Sequence, residues 1–397
     1  MPAQSRPASS GSATALLPAR SAFRPGGRRR RLAAAAAALP ILVSALAACG
    51  YGSNSSSKSS DNSPTAAAPA ASNAAKLSAD TVKIGYFPNL THATALVGLK
   101  EGFFQNELGA TKIKTYTFNA GPAEIEALNA GSIDIGWIGP SPAINGYTKS
   151  GGTDLKIIAG SASGGVKLVV NPKKIKTLDD VKGKKIATPQ LGNTQDVALL
   201  NWIASKGWKV DAESGKGDVE VIRTDNKITP DAYKNGSIDG AWVPEPTASK
   251  LVSEGAKVLL DESTLWPDKK FVITNVIVSQ KFLSAHPDVV EAVLRGSVKT
   301  NAWIQANSDK AKADANDELQ QLTQKALPAN VIDPAWQSIQ VLDDPLAATA
   351  QAEAQHAVSA GLLKAPKLSG LYDLTLLNKV LKEQGKPAVS AAGLGAQ

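Results

Sequence analysis

The run Thr81-Val-Lys-Ile-Gly-Tyr-Phe87 alternates toward apolar positions and stops at Pro88-Asn89, which predicts a first strand. A helix is expected from His92 to Phe104, and a second strand over Ile113 to Phe118. Pro122 stands where a proline suits the first helical turn, and Gly131 closes that helix. Ile133, Ile135 and Trp137 then alternate as a third strand. Strand, helix, strand, helix, strand predicts an α/β layer with a largely parallel sheet. Ligands of such sheets bind beyond the carboxyl ends of the strands.

The segment Glu126-Ala-Leu-Asn-Ala-Gly-Ser-Ile-Asp-Ile-Gly-Trp137 returns 105 residues later as Asp231-Ala-Tyr-Lys-Asn-Gly-Ser-Ile-Asp-Gly-Ala-Trp242, with six of twelve positions identical. Each copy reads as a helix that begins soon after a proline (Pro122, Pro230), ends at a glycine (Gly131, Gly236) and feeds a strand. Each strand leads to a tryptophan and a Pro-rich loop, Gly139-Pro-Ser-Pro142 in one copy and Pro244-Glu-Pro246 in the other. Two α/β lobes of similar build, each presenting a strand-end loop to a shared cleft, account for the echo. One pair of copies is too few for a solenoid.

Between the copies, residues 177–189 give a short helix and a strand, and residues 190–196 form a glycine-bearing turn. Val197, Leu200, Ile203 and Ala204 follow at helical spacing, and Gly207 ends that helix. Asn193 falls at the N-cap with Asp196 three residues on. The backbone N–H groups of such a turn and helix start suit an anion, although most such starts bind nothing.

The amino-terminal pattern is of another kind. Arg28 to Arg31 precede seventeen uncharged, alanine-rich residues, Leu32 to Ala48, interrupted by Pro40. A transmembrane span takes about 20 apolar residues, so this run matches the basic and apolar regions of a secretory signal. It ends Leu46-Ala-Ala-Cys49-Gly50, which resembles the lipobox of bacterial lipoproteins, where the chain is cut before the cysteine and the cysteine is acylated. Residues 1–48 are therefore expected to be a lipoprotein signal peptide and Cys49 the lipidation site. Residues 49–80, rich in Ser, Asn, Ala and Pro, cannot bury enough apolar surface to offset chain entropy and are expected to be a flexible tether.

The charge balance follows from that leader. The formal net charge is +8, but seven of the 43 basic residues and none of the 35 acidic ones lie in residues 1–48, which leaves 36 against 35 in the remainder. A basic nucleic-acid footprint is thereby excluded. With one cysteine, Cys49, the chain has no intrachain disulfide and no Cys-based metal centre. Its three histidines, His92, His286 and His356, are too far apart in sequence to suggest a His-rich site, so neither metal nor cofactor is expected.

Residues 82 to about 390 resemble the substrate-binding proteins of the nitrate/taurine/aliphatic-sulfonate ABC transporter group, which includes binders of thiamine-pyrimidine precursors. The resemblance rests on Gly85-Tyr86, on His92-x-x-Ala95 with Gly102-Phe-Phe104, and on Glu126-Ala-Leu-x-x-Gly-x-Ile-Asp134. Leu178-Asp-Asp-Val-Lys-Gly-Lys-Lys-Ile-Ala187, the turn at Gly192 to Thr194, and Phe282-Leu-x-x-His-Pro287 complete it. It implies an α/β, two-lobed type II periplasmic-binding-protein fold with two crossover strands, placed near Leu168 to Val170 and Phe271 to Val278. Lobe 1 would comprise residues 81–170 and 271–397, and lobe 2 residues 171–270.

Carried over position by position, the resemblance implies a ligand held by Asn89 and His92 after the first strand, Ser141 after the third and Ser163 before the first crossing. Asn193, Thr194 and Gln195 at the helix start, with Trp242 and Glu245 at the echo strand, would face it from the second lobe. These are mostly neutral donors, and a sulfonate, ionised at any physiological pH, can be held by N–H and O–H groups and a helix N-terminus. Glu245 could accept from an amine such as that of taurine or merely cap its loop; His92 could cap its helix instead of touching ligand. Trp137 and Trp242 serve either as an apolar wall or as core.

The resemblance thus implies an extracytoplasmic, lipid-anchored, monomeric receptor that delivers a small anion, foremost an aliphatic sulfonate or taurine, to a membrane permease and its separate ATPase. Nitrate or a thiamine-pyrimidine precursor are the alternatives within the same fold. A pyrimidine-synthase-like enzyme, since some such enzymes share this fold, is the further alternative, but that resemblance implies a Cys-rich active site, which a chain with only Cys49 cannot supply. No Gly-x-Ser-x-Gly elbow, His-Glu-x-x-His pair or phosphate-loop signature appears in the chain.

Overall fold

The computed structural model describes residues 76–397. The leader 1–48, the lipidation candidate Cys49 and all but the last residues of the tether lie outside the described residues. Among the described residues, no helix is long and apolar enough to cross a membrane.

The strands, in chain order, are β1 (Thr81–Tyr86), β2 (Lys112–Thr117), β3 (Ile135–Ile138), β4 (Leu155–Gly164), β5 (Val166–Val170), β6 (Lys185–Thr188) and β7 (Glu220–Arg223). They continue with β8 (Gly240–Pro244), β9 (Lys257–Asp261), β10 (Val272–Ser279), β11 (Ile339–Val341), β12 (Tyr372–Asp373) and β13 (Gly395–Ala396). An eight-stranded sheet has the order β13-β12-β4-β10-β3-β1-β2, with β11 paired to β4, and a five-stranded sheet has the order β7-β6-β8-β5-β9. The fold is α/β, as the alternating pattern implied.

Each sheet contains the same unit. In the larger one β2, β1 and β3 are parallel and β10 runs antiparallel beside β3. In the smaller one β7, β6 and β8 are parallel and β5 runs antiparallel beside β8. The sheets are therefore mixed where largely parallel ones were expected. A parallel neighbour needs a helical crossover, and β5 follows β4 with only Gly165 between them. The chain thus changes sheet at Gly164-Gly165, ahead of Leu168 to Val170, which lie inside β5, while β10 sits wholly in the larger sheet.

The internal echo now has a physical cause. Helix Gly121–Asn129 leads through Gly131 into β3, and helix Thr229–Lys234 leads through Gly236 into β8. Both glycines take positive φ, 68° and 76°, which a side chain would oppose. In both copies the aspartate of Gly-Ser-Ile-Asp reaches back to the first strand of its unit. Asp134 Oδ2 accepts from Lys83 N at 2.9 Å, and Asp239 Oδ2 accepts from Lys185 N at 3.0 Å. The repeated tetrapeptide is a clasp that holds the third strand to the first.

The helix expected over His92 to Phe104 is instead two, Ala93–Lys100 and Phe103–Leu108, because Gly102 turns the chain with φ 75°. β4 and β10 are buried almost end to end, so the larger sheet is covered on both faces. Helix Pro287–Ala306 buries Val289, Val290, Val293 and Leu294 in the core of that sheet. Helix Ala350–Ser359, from the carboxyl-terminal region, packs on both Pro140–Lys149 and Thr194–Ser205 and so touches the helices of both sheets.

Candidate functional site

The carboxyl ends of the parallel strands of the two sheets point at one another and enclose a cavity of about 20 Å³. From the larger sheet come Asn89 after β1, Asn119 after β2 and Gly139 after β3. From the smaller come Asn193 to Gln195 after β6, Asn226 after β7 and Pro244 at the end of β8. Phe87, Thr91, His92 and Ile273 complete the lining, which contains no charged side chain. A water needs roughly 10–15 Å³ of such space, so the cavity matches a small polar group.

Two helices begin at this cavity, Pro140–Lys149 just after Gly139 and Thr194–Ser205 just after Asn193. A first turn leaves backbone N–H groups without intrahelical partners and carries a partial positive charge. The starts are close: a Cβ on Gly139 would lie 2.2 Å from Thr194 Oγ1. The Thr194 side chain is buried, and its hydroxyl lacks a hydrogen-bond partner among the described residues. Asp196, in the same first turn, is neutralised by Arg223, whose Nε stands 2.9 Å from its Oδ1, and it also accepts from Thr188 Oγ1 at 2.8 Å and Gly192 N at 3.0 Å. Its charge is therefore turned away from the cavity.

Asn193 occupies the N-cap position, but its side chain does not cap its own helix. Its Oδ1 accepts from Gly121 N at 3.0 Å, at the start of a helix of the other sheet, while its Nδ2 donates to Gln195 Oε1 at 2.7 Å. The expected capping box is thus replaced by a tie between the two sides. A second tie runs from Leu90 N to Glu245 O at 3.2 Å.

His92 lies buried against Phe87, ring centroids 4.4 Å apart, and its Nδ1 accepts from Phe87 N at 3.2 Å. Burial lowers its pKa to about 3, so the ring is neutral, and the bond to Nδ1 leaves the proton on Nε2. His92 supplies a neutral N–H donor and does not cap its helix. Asn89 Oδ1 accepts from Thr91 Oγ1 at 2.6 Å.

The residues inferred from sequence divide into two groups. Asn89, His92, Asn193, Thr194 and Gln195 line the cavity together. Ser141, Ser163, Trp242 and Glu245 do not. Trp242 is core: it packs on Trp202 at 6.0 Å, and its Nε1 donates to Glu262 Oε2 at 2.6 Å. Trp137 is core as well, edge-on to Phe104 at 5.4 Å. The carboxylate of Glu245 is fully engaged by Lys167 Nζ at 2.6 Å, Ser249 N at 2.9 Å, Ser249 Oγ at 3.0 Å and Ser338 Oγ at 3.2 Å. It fastens its loop to β5 and to the end of helix Ala329–Gln337. Ser163 is buried on β4 opposite Gln340 of β11. Ser141 lies buried at the start of its helix with Oγ 3.5 Å from Glu353 Oε2.

Sequence reasoning missed Asn119 and Asn226, although both follow a strand end as Asn89 does. Asn275 and Glu353 carried no local signal. Neither polar atom of the Asn275 side chain, buried on β10 two residues from Ile273, has a partner among the described residues, and Glu353 Oε1 has none. Burial pushes Glu353 well above the usual carboxylate range, and nearby Glu262 adds to the shift. Burial likewise raises Glu262 to about 7, opposed by the hydrogen bonds from Trp242 and Trp266. Among the described residues no cluster of His, Cys, Asp and Glu could hold a metal ion.

Two linked α/β sheets whose strand ends converge on one small polar cavity define a two-sided solute-binding fold. The chain belongs to the NMT1-like family, matched over residues 75–318, a family of ABC-type substrate-binding proteins. It is 28% identical over 311 residues to a protein of Bacillus subtilis (strain 168) provisionally named an aliphatic sulfonates-binding protein, covering 76% of this chain and 88% of that one. It is 28% identical over 215 residues to the taurine-binding periplasmic protein of Escherichia coli (strain K12), covering 54% of this chain and 64% of that one. The fold is similar to that of the alkanesulfonate-binding protein SsuA from Xanthomonas axonopodis pv. citri bound to MOPS, with a TM-score of 0.59 and 23% identity, over 72% of this chain and 94% of that one. These relatives are named as binding proteins, not as enzymes.

Proposed function

We propose that this protein is the extracytoplasmic receptor of an ABC importer and that it binds a small organic anion, an aliphatic sulfonate or taurine, in the cavity between its two sheets. The lobes follow the two sheets, residues 81–164 with 271–397 and residues 166–270, so β5, expected in lobe 1, belongs to lobe 2; they hinge where the chain passes between the sheets, and acylated Cys49 holds the body near its permease. The reading rests above all on the buried, unpartnered hydroxyl of Thr194 at a helix start, in a cavity lined by neutral groups. A permanently ionised head group needs donors and a positive helix end, with no proton transfer and no buried lysine. The Nε2–H of neutral His92, the amides of Asn89, Asn119 and Asn226, the N–H groups that open helix Thr194–Ser205 and, between Pro140 and Pro142, the single free N–H of Ser141 are such donors. Contacts from both lobes give the closed form a higher affinity than the open one, the condition for ligand-driven closure. The taurine and sulfonate names of the relatives agree with this chemistry.

Calorimetric titration of the purified protein with taurine, short alkanesulfonates, nitrate and a hydroxymethylpyrimidine is the test. A sulfonate is expected to bind at micromolar or tighter affinity and to lose that affinity in Thr194→Ala. Binding of nitrate or the pyrimidine alone would replace the sulfonate reading. Labelled palmitate carried by the wild-type chain and not by Cys49→Ala is the expected sign of the anchor.

A further inference from the structure

Glu262 and Glu353 are buried carboxyls outside the lining of the cavity, and they come from the two sides that enclose it. Glu262 opens the short turn Glu262–Leu265 directly after β9 of the smaller sheet. Glu353 lies on helix Ala350–Ser359, whose Ala350, Ala354 and Ala357 pack in the core of the larger sheet. Trp266 joins the two: it hydrogen-bonds Glu262, and its ring packs at 5.0 Å between centroids on that of His356, three residues along from Glu353. Glu262 Oε2 accepts from Trp242 Nε1 at 2.6 Å, whereas Glu353 Oε2 has only Ser141 Oγ at 3.5 Å and Glu353 Oε1 has no partner among the described residues. Ser141 lies in the first turn of the helix that begins at the cavity, so the pair is linked to the site without being part of it.

Among the described residues no positive charge offsets the burial of either carboxyl. Helix Pro140–Lys149 offers Ser141, and its Lys149 is exposed at the far end. Helix Thr194–Ser205 carries one charge, Asp196, which is tied to Arg223. Lys167 of β5 is taken by Glu245, and Asp268 and Lys269 beyond Trp266 are exposed. Burial holds His356 below its ordinary range and Tyr372 above its own, the latter with Glu353 and Asp344 adding to the shift, while Asp261 brings a further negative charge to Glu262. Two carboxyls desolvated together with no cation between them do not both stay ionised. A proton neutralises each when the two sides meet and leaves when water returns.

We propose that Glu262 and Glu353 form a proton-operated latch between the lobes, so that closure takes up protons, acid favours the closed form and a rise in pH favours release of the ligand. The latch rests on the receptor reading for the ligand that closure grips, and it adds a control remote from the cavity. For Glu262 the closed-form pKa of about 7 lies above its ordinary 4.5, so the latch is fully engaged below pH 4.5 and is lost as the pH rises through 7. Within that window each proton taken up makes affinity fall by up to about tenfold per pH unit.

Methanesulfonate has no group that titrates between pH 5 and pH 8, so any proton taken up as it binds belongs to the protein. Calorimetric titration of the purified full chain at pH 6.5, in phosphate and in imidazole, reads that uptake from the dependence of the heat on the ionisation enthalpy of the buffer. About one to two protons per ligand are expected, and affinity at pH 7.5 should be about 20-fold weaker than at pH 5.5 from Glu262 alone. In the double variant Glu262→Gln with Glu353→Gln, whose amide oxygens still accept from Trp242 and Ser141, uptake should vanish and affinity should no longer depend on pH. A pair that only stabilises the fold gives no uptake on binding. Binding without uptake in the wild type, or uptake that survives the double substitution, overturns the latch and leaves the receptor intact. Absence of binding at every pH overturns the receptor reading, and X-ray scattering from the ligand-free chain then decides the latch by itself: contraction between pH 8 and pH 5 that the double variant lacks supports it, and an unchanged radius of gyration overturns it.

Discussion

Gly139→Ala probes closure without touching the ligand's chemistry. Gly139 has φ −69° and ψ 155°, values any residue adopts, so alanine brings no backbone strain. What it brings is a methyl group 2.2 Å from Thr194 Oγ1 and 3.3 Å from Thr194 Cβ, an atom of the opposite sheet's helix start. Rotating Thr194 moves the hydroxyl but not its Cβ, so part of the clash remains in every rotamer. Overpacking of this kind costs about 1–3 kcal/mol. Because the two helix starts meet only when the lobes are together, the cost falls on the closed form alone. Ligand affinity should then fall by about 5- to 150-fold, while the melting temperature of the ligand-free protein stays near that of the wild type. Titration calorimetry measures the first, thermal denaturation the second, and X-ray scattering with saturating ligand should show a larger radius of gyration than for the wild type. Adding Thr194→Ala in the same chain removes the 2.2 Å contact but keeps the 3.3 Å one to Cβ, so it should restore the compact form only in part, and not the affinity. An affinity within twofold of the wild type in Gly139→Ala would refute the idea that ligand is gripped between these two helix starts.

Other outcomes follow from the same geometry. Thr194→Val replaces an unpartnered buried hydroxyl by a methyl of similar shape, so the melting temperature should hold or rise while affinity falls by about 1–3 kcal/mol. The folded-state pKa of Glu262, about 7, lies above its unfolded value, so its contribution to stability is fully present below pH 4.5 and is lost as the pH rises through 7. Stability, and with it the melting temperature, should therefore decline over that window, by at most about 1.4 kcal/mol of unfolding free energy per pH unit from this group. Glu262→Gln, which still accepts from Trp242, should flatten the decline, and an unaltered profile would count against the shift. Asp134→Ala and Asp239→Ala each remove a charged clasp on a first-strand N–H and should cost about 1.5–3 kcal/mol apiece in urea denaturation. Losses that differ by more than a factor of two would mean the two copies are not equivalent.

The sequence alone determined the alternation of strands and helices, the repeated helix-glycine-strand unit and the donors that sit next to strand ends. Those are local properties. Alternation of Val82 and Ile84, proline at a first turn and a glycine with positive φ act within a few residues and mark the strand ends and helix starts at which the resemblance placed Asn89, His92 and Asn193 to Gln195. The confinement of seven arginines and no acidic residue to residues 1–48 was equally legible. Tertiary structure decided which neighbours those residues have. Asn193 sits at an N-cap, yet its oxygen is taken by Gly121 N from the other sheet, a partner 72 positions away. Trp242, left open between apolar wall and core, and Glu245, left open between ligand contact and loop cap, are decided by Glu262 and Lys167, which arrive from elsewhere in the chain and hold them inside. Asn275 and Glu353 gave no local sign at all, because an orphaned polar atom is defined by what fails to reach it after every other segment has packed. The direction of β5 and β10 belongs to the same category: whether a strand runs with or against its neighbour depends on which sheet the chain has just left, and no spacing of apolar residues records that.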